Sequence, residues 1–286
     1  MTPEVHRSAI SRRTFLRTGL ALAGSALLRN GFGAVVNAPA LLDNELGGLR
    51  VLPAGGVFCG GVLATEGHEI VHALLHPWLP LAEGWAFVDA HLKAANRPAQ
   101  ALCGMELRTP EQLTVEAFRA FNAPYIEQLR KRALTIGNYS AVCRTNVVPA
   151  SEPPKEAMLH AFSYSVPSTT KVRTFCISGT ADIDARGKAV AEGDVSPAGM
   201  RARASHCLDQ VGERLAQLDL EWPQVTHIDL CIGRDPGDLM RELILPSLKG
   251  AASRGVRIHH ARPPLIGTEV ELECRGVLRE VILHTA

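Results

Sequence analysis

Residues 57–64, VFCGGVLA, and residues 174–181, TFCISGTA, set the organisation of the chain. Each is an apolar run with a cysteine at its third position, closing on small residues. A short apolar run of this kind reads as a buried strand. Cys59 and Cys176 take the same place, and the features that follow come in the same order. A helix is expected over 81–95, where Trp85, Val88, Leu92 and Ala95 fall three or four apart, and over 197–218, where Met200, Ala204, Cys207, Val211, Leu215 and Leu218 do the same. That spacing is one apolar stripe on an amphipathic helix. A strand comes next in each half, 100–108 (QALCGMELR) and 225–233 (VTHIDLCIG). Second helices are expected over 111–134 and 237–252, each after a turn containing proline, Pro110 or Pro236. Each half closes on two strands: 140–148 (SAVCRTNVV) and 157–165 (AMLHAFSYS), then 256–262 (VRIHHAR) and 269–283 (EVELECRGVLREVIL).

The order ββαβαββ predicts an α+β fold, a mixed sheet with two helices packed on one face, present twice in tandem. The first domain is expected over 48–167 and the second over 171–286, joined by a linker around VPSTT.

The chain has 286 residues, 46% hydrophobic and 21% charged, enough apolar material for a substantial core. A formal net charge of +1 gives no field that would draw it to nucleic acid or an anionic membrane. Aromatic residues make up 5%, which argues against base-stacking platforms. The seven cysteines include no CxxC pair and no cluster with zinc spacing; most sit in apolar runs and read as small buried hydrophobes. Neither a GxGxxG fingerprint, a P-loop nor an HExxH motif occurs, so no cofactor or metal is expected.

Ser11-Arg12-Arg13-Thr14-Phe15-Leu16-Arg17 resembles a twin-arginine export signal. The apolar stretch 19–28 is too short for a stable membrane anchor but fits a signal-peptide core, and the small residues Ala38 and Ala40 offer a cleavage site. A signal peptide over 1–40 and a periplasmic mature protein are expected, with no membrane association after cleavage. That compartment is oxidising, so a disulfide stays open.

The second half resembles the Rid family, the reactive-intermediate deaminases with a chorismate-mutase-like fold. The resemblance is carried by FCISGTA (175–181), ERLAQLDLEWPQVTHIDL (213–230) and above all HHARPPLIGTEVELECRGV (259–277). It implies that Arg262 holds a substrate carboxylate and that a glutamate on the closing strand is the acid/base. The glutamate falls best on Glu271, with Glu269 and Glu273 as alternatives. The first half is similar more weakly: FRAFNAPYIEQL (118–129) places Asn122 and Tyr125, and Arg144 falls at the arginine position. Its closing strand has no carboxylate, so this half is expected to be a scaffold or one wall of a shared site. The resemblance also implies a homo-oligomer, a trimer above all.

These residues suit hydrolysis of a small imine or enamine acid, such as a 2-imino acid or an aminomuconate, with release of ammonia. Arginine offers a flat fork of donors to a carboxylate. A glutamate raised by burial moves protons and aims water. Ser178 and Gly179 end their strand where backbone donors meet a ligand, and glycine allows close approach. Bland readings stand beside these: Arg262 in a structural ion pair with Glu271 or Asp238, and Glu269, Glu271 and Glu273 on a solvated strand face. His259 and His260 point to opposite faces and do not suggest a metal. Two rival functions remain, a non-catalytic binder of a small carboxylated metabolite and a chorismatase-like enzyme.

Overall fold

In the strand β14 (Val270–Gly276) every second side chain, Val270, Leu272 and Cys274, joins an apolar core, while Glu271, Glu273 and Arg275 face the other way and are also buried. A strand can bury charges on one face only if that face meets another layer. The computed structural model, which describes residues 40–55 and 58–285, supplies that layer as a second sheet.

The first sheet has seven strands in the order β1 (Leu42–Asn44), β2 (Leu49–Pro53), β3 (Cys59–Ala64), β10 (Phe175–Ala181), β14, β11 (His227–Ile232) and β12 (Arg257–His259). The second has six, in the order β13 (Ala261–Arg262), β8 (Cys143–Pro149), β5 (Leu102–Arg108), β9 (Met158–Pro167), β4 (His68–Pro80) and β15 (Arg279–His284). A small hairpin, β6 (Thr135–Ile136) with β7 (Tyr139–Ser140), stands apart. The helices α1 (Leu81–Ala94) and α2 (Val115–Lys131) cover the outer face of the six-stranded sheet through Trp85, Val88, Leu92, Tyr125 and Leu129. Helix α3 (Pro197–Gln217) covers the seven-stranded sheet with Cys207, Val211 and Leu215. Ser196 caps α3, its Oγ accepting from the Gly199 amide, and Pro197 occupies the first turn, where no amide donor is needed.

The expected helix over 237–252 is real but broken. It runs as one α-turn (Gly237–Leu239), a π-turn (Met240–Ile244), a second α-turn (Leu245–Ser247) and a 3₁₀ stretch (Lys249–Arg254). Pro246 has no amide to give to the preceding turn, and the wide turn before it absorbs the mismatch.

The sheets do not divide where the two halves of the sequence divide. β1, β2 and β3 from the first half extend the sheet of the second, with β3 antiparallel to β10 (Phe175↔Leu63). In return, β13 and β15 from the second half edge the sheet of the first, β15 lying parallel to β4 (Arg279↔Val71). The stretches 256–262 and 269–283, each expected to be one strand, are each split between the sheets, at His260 and at Val277–Leu278.

Between the sheets lie Leu49, Val51, Val62, Ile70 and the cysteines Cys59, Cys103, Cys143 and Cys176. All seven cysteines are buried and free. Beside them runs a charged network. The Arg275 guanidinium donates to Asp229 Oδ2 (2.7 Å), Glu273 Oε1 (3.0 Å) and Glu280 Oε2 (3.0 Å), and lies 3.4 Å from Glu106. The neighbouring His72 and Arg275 hold the Glu106 carboxyl well below the usual carboxylate range, whereas burial pushes Glu273 well above it. One arginine thus faces carboxyls of both kinds.

Of the export signal expected over 1–40, residues 1–39 lie outside the described residues. Among the described residues, no helix is long and apolar enough to cross a membrane, and no cluster of His, Cys, Asp and Glu could hold a metal ion.

Candidate active site

Strand alternation sends Cys143, Thr145 and Val147 of β8 toward the opposite sheet, and Arg144 and Asn146 toward α2. A cavity of about 440 Å³ opens there, walled by α2 and β8 on one side and by the ends of β10, β14 and α3 on the other. Of the residues expected at a site, Asn122, Arg144, Ser178, Gly179 and Glu271 all line it. The first half therefore supplies one wall and the second half the other.

Glu271 is 4% exposed, and burial pushes its carboxyl up to about 8 against the opposing pull of Arg144. At neutral pH it is mostly a protonated acid. Its strand face is the space between the sheets, so the reading of a solvated acidic face is overturned for Glu271 and Glu273 alike. Gly179 is needed here: a Cβ would overlap Glu271 Oε1 and stand 2.8 Å from Thr145 Oγ1. The Gly179 amide donates to that hydroxyl (3.2 Å), and Thr145 Oγ1 in turn donates to Glu273 Oε2. Ser178 is a brace rather than an open donor. Its hydroxyl donates to the Cys59 carbonyl (2.6 Å) and accepts from the Arg144 amide (3.3 Å), tying β10 to β3 and β8.

The Arg144 guanidinium sits 4.6 Å from the Tyr125 ring centroid, 5.7 Å from Phe118 and 5.9 Å from Phe58, which cage it by cation–π attraction. Among the described ion pairs it has no carboxylate partner, and burial lowers its pKa from the ordinary arginine value. Residue types and motifs gave no hint of a second cation, Arg214 on α3. Its Nη1 donates to the Ser178 carbonyl (3.0 Å) and Thr180 Oγ1 (2.6 Å), and it too lines the cavity with no carboxylate partner among the described ion pairs. The available signal was its place beside Val211 and Leu215, on the flank of the buried stripe. Asn146 was also missed, although its spacing of two from Arg144 puts both on one face.

Arg262 stands elsewhere and is a correction. It does not line the cavity; it lies on β13 with Nε 3.3 Å from Glu269 Oε2, a carboxylate it shares with Arg234. The reason is the split at His260, which carries Ala261–Arg262 across to pair with Val148–Pro149. Its side chain then packs on Gly233, where a Cβ would stand 2.6 Å from Arg262 Cγ. The ion-pair reading of Arg262 was right in kind, but with Glu269 as its partner. Pro264 and Leu265, just beyond, do reach the cavity, held by Gln112 Nε2 donating to the carbonyls of Pro263 (2.9 Å), Leu265 (3.0 Å) and Thr268 (3.0 Å). The start of β14 is anchored by a fully buried pair: Arg203 bonds Asp182, which accepts from the amides of Glu269 (3.2 Å) and Val270 (3.4 Å). His259 Nε2 meets Asp229 Oδ1 at 2.7 Å while His260 Nε2 meets the Gly233 carbonyl, so the two imidazoles diverge.

Over 248 residues, 83% of this chain and 96% of the relative, the sequence is 33% identical to a 2-amino-5-chloromuconate deaminase of Comamonas testosteroni. A crystal structure of a chorismatase superimposes with a TM-score of 0.46 at 12% identity, over 82% of this chain and 78% of that one. Residues 41–281 match the family described as 2-aminomuconate deaminase CnbZ, and the chain belongs to that family.

Proposed function

We propose that the chain hydrolyses a 2-aminomuconate-type diacid, releasing ammonia at the cavity between α2 and β14. The observation that carries this reading is the pairing, in one cavity, of an unneutralised arginine with a glutamic acid kept protonated near neutral pH. A carboxylate beside the reacting carbon fits Arg144, with two parallel hydrogen bonds and a guanidinium already oriented by its aromatic cage. The second carboxylate of a diacid fits Arg214. Two cations without carboxylate partners among the described residues suit a dianion better than a simple 2-imino acid. Holding both ends places the reacting carbon against Glu271.

The chemistry then balances through one carboxyl. Neutral Glu271 gives its proton to the enamine carbon next to the C–N carbon, converting C=C–NH₂ into C–C=NH₂⁺. The resulting carboxylate takes a proton from water as the water oxygen bonds to the C–N carbon. That proton passes to nitrogen; the C–N bond breaks with its electron pair, and ammonia leaves. The hydroxyl proton returns to Glu271 as the carbonyl forms, so the net change is enamine plus water to ketone plus ammonia. Every step needs an acid whose pKa lies near the working pH.

The test is ammonia release from 2-aminomuconate by the purified protein, beside Arg144→Ala and Glu271→Gln. The expected result is turnover by wild type and a loss of about 10²-fold or more in Glu271→Gln. Release no faster than in buffer would overturn the reading.

A further inference from the structure

Asn146 is 4% exposed, lines the cavity, and has no hydrogen-bond partner among the described residues at either Oδ1 or Nδ2. Across from β8, Asn122 of α2 is 5% exposed, lines the same cavity, and has no partner among the described residues at Oδ1. Buried amides are almost always paired, so two such groups at one cavity call for an explanation. Other acceptors nearby are already engaged. Ser178 O and Thr180 Oγ1 accept from Arg214, and the hydroxyls of Ser178 and Ser140 accept from the Arg144 and Val142 amides. Among the described residues, the two buried amide carbonyls, Glu271 and the half-buried Gln210 of α3 remain to receive an N–H. Both cations are suited to carboxylates, which an amide carbonyl repels.

We infer that Asn146, with Asn122, forms the subsite for the substrate's amino nitrogen, its two carbonyl oxygens accepting the two N–H bonds of a neutral primary enamine. The inference rests on the deaminase reading and adds to it the residue that discriminates an amino diacid from the same diacid without nitrogen. An uncharged pair of acceptors also suits release. The product carries oxygen where the N–H donors were, and ammonia leaves without an ion pair to break.

The experiment compares wild type with Asn146→Leu, close in volume and without polar atoms. Two quantities are read: kcat/KM for 2-aminomuconate, and the inhibition constant of muconate, the diacid lacking the amino group. The expected result is a fall of about tenfold or more in kcat/KM, with muconate inhibition within about twofold of wild type and an unchanged or higher Tm. If both quantities fall together, or neither moves, the assignment is overturned. Muconate binding shows that the variant is folded, and Asn146→Ala, expected to show the same split, stands in if Asn146→Leu does not fold. A wild type that binds muconate but releases no ammonia overturns the deaminase reading itself, an outcome distinct from an active wild type whose selectivity ignores Asn146.

Discussion

Glu271→Gln exchanges a buried ionisable carboxyl for an isostere that never ionises, and its effect on stability is calculable. In the unfolded chain the group titrates at its ordinary 4.5; in the fold burial moves it to about 8. Because the folded value is the higher one, the native protein keeps a proton that the unfolded chain gives up. The contribution of this group to stability is therefore complete below about pH 4.5 and is lost as pH rises through about 8. The full linkage is about 5 kcal/mol, and about 4 kcal/mol of it falls between about pH 5 and pH 9. Urea unfolding of wild type and variant at about pH 5, 7 and 9 should show the variant gaining on wild type throughout, by about 2.5 kcal/mol from about pH 5 to pH 7. Glu273, also raised by burial, is present in both proteins and cancels in the difference. In activity, wild type should decline above about pH 8 as the acid ionises, whereas the variant should be about 10²- to 10⁴-fold slower and flat with pH. A stability difference that stays constant from pH 5 to 9 would refute a neutral, buried Glu271.

Three further outcomes follow from the same geometry. Arg144→Leu should raise KM for a carboxylated substrate by about 100-fold while leaving Tm unchanged or higher, because no carboxylate among the described residues loses its partner; steady-state kinetics with a thermal melt checks both. Gly179→Ala should reduce kcat/KM by about 10²-fold, since the added methyl must displace the Glu271 carboxyl or Thr145, and circular dichroism should show the sheets intact. Asp182→Ala should destabilise the protein by about 3–5 kcal/mol in urea, as it leaves the Arg203 guanidinium buried without its counter-charge and frees the amides that begin β14.

What could be read from the sequence was what short-range pattern controls. The apolar stripes of α1 and α3, the paired strands β3 and β10, and the period-two faces of β8 and β14 follow from local spacing. The resemblance to the Rid family, rather than those faces, singled out Arg144 and Glu271. The exchange of strands between halves was not legible. Hydrogen bonding of β13 to β8, or of β15 to β4, depends on which edges are free once the sheets exist, and no residue of β13 or β15 encodes its partner. Arg262 was misplaced for that reason: its motif is local, but its position is set by a crossing at His260. β4 went unnoticed because HEIVHALLHPWLP mixes three histidines and two prolines into an apolar run without clear alternation. Arg214 lies on the flank of the α3 stripe, where local spacing does not separate a solvated charge from one bonded to β10.

The parallel pairing of β15 with β4 has a consequence for how the chain reaches its native state. Thr285, just past β15, donates its hydroxyl to the carbonyl of Pro77, 208 residues earlier. During synthesis the six-stranded sheet keeps an open edge at β4 until residues 279–284 have been made. An uncovered strand edge of that length is a template for unwanted pairing. Until then the nascent chain carries an adhesive border, and chaperone demand and sensitivity to deletion should concentrate on residues 279–284 rather than on the cavity.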